Sequence, residues 1–527
     1  MIDGDTQTFA LTLDKFLEHA AKWHPRAEVV TARDGGRVDR VRYADLLGRS
    51  RRVSAVLADV GVRPGDRVAT LAWNTQAHVE SWYAIMGMGA VCLTLNPRLT
   101  AVQLGAMAAQ AQARVLIVSA DLLPLAAQLA DIALSVERML VIDGEILGEG
   151  AAPNVSELEP LLSAADASGV VWGAFAETAP SGLCFTSGTT GAPKGVTYTH
   201  RSSYLHTLRL LQADVLAITA RDSVLTVVPM FHANAWGLPF AAPAVGAKLV
   251  LQGRHNDGAS LAALINAERV TIAVGIATVW LGLVEHIEAS GGALPSLKRV
   301  VVGGAPLPPA LMERIERTLG VTVQTSWGMT ELSPSGTFAS PADPSRSAAV
   351  SGRPAIGVDL LITDADGAAL PEQRHTEGHL RVRGAAVVER YFGEAESATD
   401  AEGWFATGDL AKIDGEGNLI ITGRAKDLIK SGGEWINPAE IEAVVSALPE
   451  VSLAAVIGRQ HPKWGERPIL LVQTRDQGMI SDEALLAPLR DSVAPWWIPD
   501  AVIRIPQMPL APTGKIDKIR LRVEYGG

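Results

Sequence analysis

A short segment rich in hydroxyl side chains and glycines has the residue types needed to hold phosphate groups. It follows the apolar stretch 182–185 and contains Thr186, Ser187, Gly188, Thr189, Thr190, Gly191 and Lys194. Glycines let backbone N–H groups approach a ligand closely. Hydroxyls donate hydrogen bonds to phosphate oxygens, and a lysine adds a mobile positive charge. The spacing differs from that of a Walker A loop. The segment therefore predicts a phosphate-binding loop, the alternative being a flexible surface loop.

Further short motifs follow this loop along the chain. They are Gly303-Gly304-Ala305-Pro306, Trp327-Gly328-Met329-Thr330-Glu331, Thr407-Gly408-Asp409-Leu410, Gly423-Arg424-Ala425-Lys426-Asp427, Lys430-Ser431-Gly432-Gly433-Glu434-Trp435-Ile436 and Pro512-Thr513-Gly514-Lys515. Each has an ordinary interpretation by itself. Thr330-Glu331 is typical of a helix cap, Thr407-Gly408-Asp409 of a turn, and Lys515 of a solvated lysine near the end of a chain.

Taken together and in this order, the motifs resemble the adenylate-forming superfamily of acyl-CoA synthetases, luciferases and peptide-synthetase adenylation domains. The resemblance extends from about Phe9 to Leu521. It implies ATP-dependent activation of a carboxylic acid to an acyl-adenylate with release of pyrophosphate. Transfer of the acyl group to CoA, to give a thioester, would follow. ATP, Mg²⁺ and CoA are the implied cofactors and co-substrates.

The resemblance also implies roles for individual residues. Lys515 would drive adenylation, Glu331 would hold Mg²⁺ with a hard carboxylate oxygen, and Thr186 and His232 are further candidate catalytic residues. The implied ATP and AMP contacts are Thr186, Ser187, Gly188, Thr189, Thr190, Gly191, Lys194, Gly303, Gly304, Ala305, Trp327, Gly328, Met329, Thr330, Asp409, Arg424 and Lys515. Lys426 would be the hinge, with Lys430, Gly432, Gly433, Glu434 and Trp435 on the CoA side.

The acid itself is less sharply indicated. Residues 230–239 resemble the pocket segment of medium-chain fatty acyl-CoA and methylthiopropionate-CoA ligases, which implies an acid pocket lined by His232, Trp236, Trp327 and Pro334. The alternatives are a buried structural histidine and core tryptophans. Bulky indoles favour a short or planar acid. Ala277 and His379 depart from the residues usual in relatives, which keeps an aryl or unusual acid open.

Two other functions remain open beside CoA ligation. One is an adenylating enzyme of specialised metabolism that passes its acid to a nucleophile other than CoA; nothing favours a luciferase-like oxidation. The other is a non-catalytic nucleotide sensor. A sensor would need neither Lys515 nor Glu331, so the presence of both favours an enzyme.

Composition excludes several classes of protein. The chain has 527 residues, 48% hydrophobic and 20% charged, with a formal net charge of −11. Such a chain can bury a large core, and its acidity argues against nucleic-acid binding. Two cysteines cannot build a disulfide framework, which favours a reducing cytoplasm. We expect no signal peptide and no integral membrane segment, with a small-molecule acid, ATP and CoA as partners and a homodimer as a possible assembly.

The pattern of elements predicts an α/β fold. Apolar runs typical of strands alternate with helical patterns throughout. We expect strands at 68–72, 114–118 and 297–302, a buried helix over 79–89 and a helix opened by Pro308-Pro309. The uncharged run 223–247 predicts a buried strand, a loop and a helix start rather than a membrane span.

The last hundred residues predict a separate module. A hairpin over 410–423 precedes it, and Asn437 with Pro438 predicts a helix start. We place a large domain of mixed sheets and helices at 1–423 and a small, mobile α+β domain at 424–527.

Overall fold

The computed structural model describes residues 5–146, 154–186, 193–475, 480–512 and 514–527. Strands and helices alternate along most of the chain. The first strands are β1 (Glu28–Ala32), β2 (Val38–Arg42), β3 (Arg67–Leu71), β4 (Val91–Thr94), β5 (Val115–Ser119), β6 (Arg138–Ile142), β7 (Val155–Glu157), β8 (Pro180–Phe185) and β9 (Gly195–Thr199).

The next strands are β10 (Ser223–Thr226), β11 (Lys248–Leu251), β12 (Ile272–Gly275), β13 (Arg299–Val302), β14 (Thr322–Gly328), β15 (Ser335–Phe338) and β16 (Arg353–Pro354). The remaining strands are β17 (Val358–Thr363), β18 (Gly378–Gly384), β19 (Phe405–Ile413), β20 (Leu419–Arg424), β21 (Ile429–Ser431), β22 (Glu434–Ile436), β23 (Val451–His461), β24 (Gly465–Thr474) and β25 (Val502–Arg504).

The helices of the larger part are α1 (Asp14–Trp23), α2 (Tyr43–Asp59), α3 (Gln76–Gly87), α4 (Ala101–Gln110), α5 (Leu123–Ala130), α6 (Leu158–Ala164), α7 (His200–Leu210), α8 (Leu238–Val245), α9 (Gly258–Glu268), α10 (Ala277–Ser290) and α11 (Pro309–Leu319). Those of the smaller part are α12 (Pro438–Ser446), α13 (Asp482–Leu486), α14 (Leu489–Ser492) and α15 (Lys518–Tyr525).

Two sheets with largely parallel strands form the centre of the molecule. One runs in the order β7-β6-β5-β3-β4-β8-β9 and the other in the order β16-β15-β14-β13-β12-β10-β11-β1-β2. Their apolar faces meet helices such as α3, which is buried from His78 to its end at Gly87. Parallel sheets covered on both faces read as continuous apolar runs, which explains the Val- and Leu-rich strands in the sequence. Ligands of such folds bind beyond the carboxyl ends of the strands.

Two smaller sheets follow in the C-terminal part of the chain. An antiparallel sheet orders β17-β18-β19-β20, and a last sheet orders β22-β21-β24-β23, with β25 paired to β24. The chain passes from one sheet to the other between Arg424 and Ile429. Helix α12 begins where predicted, since Asn437 caps it and Pro438 occupies its first turn. The expected fold class is thus confirmed, a mixed α/β fold with a large N-terminal domain and a smaller C-terminal one.

The predicted elements are recovered with small shifts at their ends. The helix expected over 79–89 is Gln76–Gly87, which starts earlier because Thr75 accepts a hydrogen bond from the His78 N–H. The run 223–247 forms strand β10, a turn and helix α8. Among the residues that the structure describes, no helix is long and apolar enough to cross a membrane.

Candidate active site

The base of the hydroxyl-rich loop closes the hairpin between β8 and β9. The Thr186 N–H donates to the Lys194 carbonyl at 2.9 Å, and the Lys194 N–H lies 3.4 Å from Thr186 Oγ1. These bonds fix the two ends of the loop at the carboxyl end of β8. The predicted contacts Ser187, Gly188, Thr189, Thr190 and Gly191 lie outside the described residues.

Glu331 is a buried carboxylate placed just after β14. The Tyr391 hydroxyl donates a 3.0 Å hydrogen bond to its Oε1, and Lys194 Nζ lies 4.7 Å from the centroid of the Tyr391 ring. One tyrosine therefore contacts both Glu331 and the lysine of the hydroxyl-rich loop. Burial raises the pKa of Glu331, and the hydrogen bond from Tyr391 opposes this shift.

The carboxylate of Glu331 fits a Mg²⁺ site. Within the described ranges, no cluster of three or more His, Cys, Asp or Glu side chains could hold a metal ion. Mg²⁺ in nucleotide sites is usually held by one or two carboxylates together with substrate phosphates. A single buried carboxylate near Lys194 is consistent with that arrangement.

Asp409 on β19 is held between two side chains. Arg424 Nε lies 2.6 Å from its Oδ1, and Trp327 Nε1 donates to its Oδ2 at 2.9 Å. Asp409 pairs with Arg424 in the register of β19 and β20, which explains their proximity. Burial raises the pKa of Asp409 while the Arg424 charge opposes the shift. Each carboxylate oxygen has a second lone pair with which it can accept a bond from a ligand hydroxyl.

The Gly303-Gly304 segment allows a close approach of side chains. A Cβ on Gly303 would lie 2.8 Å from Cη2 of Trp236, and Gly304 has a left-handed φ of +80°. Side chains at these positions would therefore displace the indole or strain the backbone. Gly304 also lies beside Lys515, whose Cε is 3.8 Å from the position of a Gly304 Cβ.

The segment after His232 makes a left-handed turn, Ala233–Gly237. Its φ angles are 45° at Ala233, 48° at Asn234 and Ala235, 52° at Trp236 and 77° at Gly237. Left-handed backbone is unfavourable for residues with a Cβ, by about 1–2 kcal/mol each. The turn is held near its start, where Cys184 Sγ donates to Asn234 Oδ1 at 3.1 Å.

His232 lies next to this turn and within the electrostatic reach of Lys515. Withdrawal from water lowers the pKa of His232 to about 4, and the charge of Lys515 acts in the same direction. His232 is therefore a neutral imidazole at physiological pH. It can donate or accept one hydrogen bond to a substrate without adding charge.

Lys515 enters the cleft between the two domains. Its loop is held against the large domain, since Arg98 Nη1 donates to the Pro512 carbonyl at 3.2 Å and Gly514 lies against the side chain of Ile276. The protein groups packed around Lys515, together with the Arg424 charge, lower its pKa to about 8, although the residue keeps contact with solvent. Lys515 is thus brought together with Gly304, His232, Asp409 and Glu331.

The predicted CoA-side segment forms an exposed hairpin of β21 and β22. Gly432 and Gly433 make the turn with φ of 60° and 95°, and the Gly432 N–H donates to the Trp464 carbonyl at 2.8 Å. Lys430 Nζ lies 5.5 Å from the Trp435 ring centroid, and Trp435 is 54% exposed. Glu434 in the same hairpin is also exposed.

The hinge candidate Lys426 lies in a short 3₁₀ turn, Ala425–Asp427, between the last two sheets. Its neighbour Asp427 forms a 2.7 Å ion pair with Arg522 of α15. This pair ties the start of the small domain to its last helix.

The remaining predicted residues lie at the ends of strands and at the start of a helix around the site. Trp327 is bonded to Asp409, on the side of the predicted ribose contact, and Pro334 accepts a 2.9 Å bond from the Met329 N–H. The Thr330 carbonyl accepts from the Tyr198 hydroxyl at 2.8 Å. Of the two departures, Ala277 opens α10 beside Ile276, whereas His379 pairs with Leu410 on β19.

Sequence reasoning missed several supporting residues. Tyr391, Cys184 and Arg98 each hold a predicted site segment, yet none belongs to a recognisable motif. Tyr391 is separated from Glu331 by 60 positions, so only the fold brings them together.

Comparison with known proteins places the chain in a family. The profile of the AMP-binding enzyme family matches residues 17–392, and that of the AMP-binding enzyme C-terminal domain matches residues 440–515. The chain belongs to the AMP-binding enzyme family. The resemblance stated from the motifs is thereby confirmed.

Relatives align over nearly the whole chain. A medium-chain-fatty-acid–CoA ligase of Ectopseudomonas oleovorans is 41% identical, over 99% of this chain and 97% of its own length. A 3-methylmercaptopropionyl-CoA ligase of Ruegeria lacuscaerulensis is also 41% identical, over 99% and 98%. Among solved structures, ATP-bound MatB from Rhodopseudomonas palustris superposes with a TM-score of 0.85 at 26% identity, covering 98% of this chain and 99% of that one.

Proposed function

We propose that this chain activates a short or medium-length carboxylic acid at the cleft between its two domains. The chain is an AMP-forming acid–CoA ligase, which uses ATP, Mg²⁺ and CoA. The observation that carries the assignment of its catalytic site is the position of Lys515, beside Gly304 and within the electrostatic reach of His232, Asp409 and Glu331.

In the first half-reaction, an oxygen of the acid carboxylate attacks the α-phosphate of ATP and pyrophosphate leaves. Both groups are anionic, so the protein must position them and offset their charge. We assign this role to Lys515, which would bridge the acid carboxylate and the α-phosphate, and to Lys194 at the β- and γ-phosphates. Mg²⁺, held by Glu331, would supply further neutralisation of phosphate charge.

The nucleoside would be held by Asp409 and the Gly303-Gly304 segment, away from the residues assigned to the β- and γ-phosphates. Asp409, fixed by Arg424 and Trp327, would accept hydrogen bonds from the ribose hydroxyls. The bare backbone of Gly303 and Gly304 would accommodate the adenine. Tyr391 is a positioning residue in this scheme, since it contacts both Glu331 and Lys194 without itself being assigned to a substrate.

In the second half-reaction, the CoA thiol replaces AMP on the acyl carbon. Lys515 lies beside Gly304 of the large domain, whereas the Gly432–Gly433 turn bonds to Trp464 of its own domain, so the arrangement suits the first half-reaction. We propose that the domain 424–527 rotates about Lys426 relative to 1–423, withdrawing Lys515 and bringing Gly432, Gly433 and Trp435 to the pantetheine arm.

The acid site is assigned to the left-handed turn. Trp236 packs against Gly303 and so brings the acid segment close to the adenine-side loop. By their names, two relatives act on medium-chain fatty acids and on 3-methylmercaptopropionate, and a third acts on long-chain fatty acids. A half-buried indole over the site favours acids of the first two kinds over long chains.

The direct test is pyrophosphate release across an acid panel, with and without CoA. Release that depends on a short or medium acid, with thioester formed when CoA is present, is the expected result. Release with no thioester would indicate a different nucleophile. No release with any acid would instead favour a nucleotide sensor and overturn the assignment.

The acid pocket is tested by Trp236→Ala. Misplacement of a short acid by about 1 Å can cost roughly 10²-fold in kcat/KM, while a larger acid gains space. We expect short-acid kcat/KM to fall and that of a bulkier acid to fall less or to rise. A uniform loss with a large drop in Tm would make Trp236 a core residue.

We further propose a cytoplasmic location and a homodimer. Both cysteines, Cys92 and Cys184, are free and buried, as suits a reducing compartment. Analytical ultracentrifugation of the purified chain tests the dimer, and a monomer at micromolar concentration would contradict it.

A further inference from the structure

Helix α7 carries three buried nitrogen-bearing side chains that the rest of the mechanism does not use, His200, His206 and Arg209, and the last two lie one turn apart. Arg209 is 7% exposed and its Nη2 has no hydrogen-bond partner among the described residues. His206, one turn earlier, is 1% exposed and its Nε2 is likewise unpartnered there. Buried polar groups are nearly always bonded, and buried charges are nearly always paired. Two such exceptions on one helix face therefore point to a missing ligand.

His206 lies against the left-handed turn, and Arg209 lies within electrostatic reach of His206. A Cβ on Gly237 would lie 2.8 Å from His206 Nδ1 and 3.4 Å from a methyl carbon of Leu210. The face of α7 that bears His206 thus packs directly on the backbone that presents Trp236. The preceding residue, Trp236, contacts Gly303 of the adenine-side loop. The turn therefore contacts the predicted adenine-side loop through Trp236 and contacts His206 through Gly237.

The cationic Arg209 and the neutral His206 together have the hydrogen-bond donors needed to bind an anion. Burial lowers the pKa of Arg209 to about 10, so that it stays a cation at neutral pH. Burial and the neighbouring Arg209 charge lower the pKa of His206 well below its usual value, so its imidazole is neutral. No ion pair offsets the Arg209 charge in the part of the chain described here. A guanidinium beside a neutral imidazole can donate several hydrogen bonds to one carboxylate.

We propose that His206 and Arg209 form the far end of the acid site and bind a second carboxylate, so that the enzyme activates dicarboxylic acids. The inference rests on the proposed function and names its substrate class. One carboxylate of the diacid attacks the α-phosphate and releases pyrophosphate. The other carboxylate stays ionised, bound to Arg209, and takes no part in bond making. A guanidinium matches the planar geometry of a carboxylate, which selects this group over a neutral polar one.

The experiment compares each diacid of a series from glutarate to suberate with its own monomethyl ester, by pyrophosphate release. The proteins are wild type, Arg209→Met, Arg209→Lys and the control Arg201→Met. Arg201 lies on the same helix, but its side chain is 49% exposed and pairs with Glu177 on the surface.

For the best-fitting diacid we expect Arg209→Met to lose about 10- to 100-fold in kcat/KM, the scale of a lost hydrogen bond to a charged group. The monoester should be unaffected or improved, Arg209→Lys should retain part of the diacid activity, and Arg201→Met should match wild type. Tm of Arg209→Met should stay level or rise, because an unpaired buried charge is removed.

Equal losses on diacid and monoester would make Arg209 a structural residue and overturn the proposal. A wild type that activates monoesters but no diacid would overturn it too, while leaving the proposed function intact. Calorimetric binding of the diacid in the presence of a non-reactive ATP analogue is the second measurement. Binding that is lost in Arg209→Met supports the proposal even without pyrophosphate release, and equal binding by both proteins overturns it.

Discussion

The two predicted functional edges of the C-terminal domain face different surroundings. The Lys515 loop is held against the large domain by Arg98 and Ile276. The Gly432–Gly433 hairpin instead bonds to Trp464 of its own domain and leaves Trp435 more than half exposed. One small domain thus carries two predicted sets of reactive groups, of which one faces the cleft. This difference is what the proposed rotation of the small domain, rather than a local loop movement, would exchange.

The largest expected effect comes from removing the cleft-facing group. Lys515→Ala should slow acyl-adenylate formation by about 10²-fold or more, the scale of one lost electrostatic contact in a transition state. Thioester formation from supplied acyl-adenylate should be much less affected. Single-turnover assays of each half-reaction measure this, with Arg520→Ala on exposed α15 as the control. Equal loss in both assays would show that Lys515 is not specific to adenylation and would contradict the assignment of one half-reaction to each edge.

The hinge is tested next. Lys426→Pro fixes φ in the 3₁₀ turn where the rotation is proposed to occur. We expect the first half-reaction to be preserved and the second to fall by about 10²-fold, as for a misplaced reacting group. Lys426→Arg, which keeps the positive charge and leaves the backbone free to rotate, should behave like wild type. A wild-type rate of CoA transfer in Lys426→Pro would show that the pivot lies elsewhere.

A smaller effect is expected at the exposed hairpin. Trp435→Ala removes an indole that would line the CoA path after rotation, and we expect KM for CoA to rise about 10-fold. The free energy of unfolding should change by less than about 0.5 kcal/mol, because the side chain is largely in water. Trp496→Ala, 51% exposed on the same domain, is the matched control. Equal rises in both variants would remove Trp435 from the CoA site.

The smallest expected effect is a pH dependence of adenylation that comes from the Lys515 edge of the small domain. The pKa of Lys515 is lowered to about 8, and its protonated form is the one that can bridge two anions. kcat/KM for adenylation should therefore be level at lower pH and fall about threefold between pH 7.5 and 8.5. Lys515→Arg should move this limb to higher pH. An unchanged limb in that variant would assign it to another group.

Much of the fold was predictable because its signals are local. The helix at Asn437-Pro438 and the hairpin of β19 and β20 follow from capping and turn residues. The site was predictable only through the order of its motifs, since Lys515 and Gly304 meet across two domains. Contacts such as Tyr391 with Glu331 have no local signal. Likewise His206 and Arg209 look like ordinary residues of an amphipathic helix until their burial is known.

The left-handed turn has a consequence for engineering the enzyme. Ala233 and Ala235 hold a backbone conformation that glycine adopts without penalty. Glycine at either position would relieve local strain in the folded state, yet it would also free the segment that presents His232 and Trp236. Efforts to raise thermal tolerance by relaxing this turn should therefore reduce discrimination between acids, a trade-off between stability and selectivity located in a few residues.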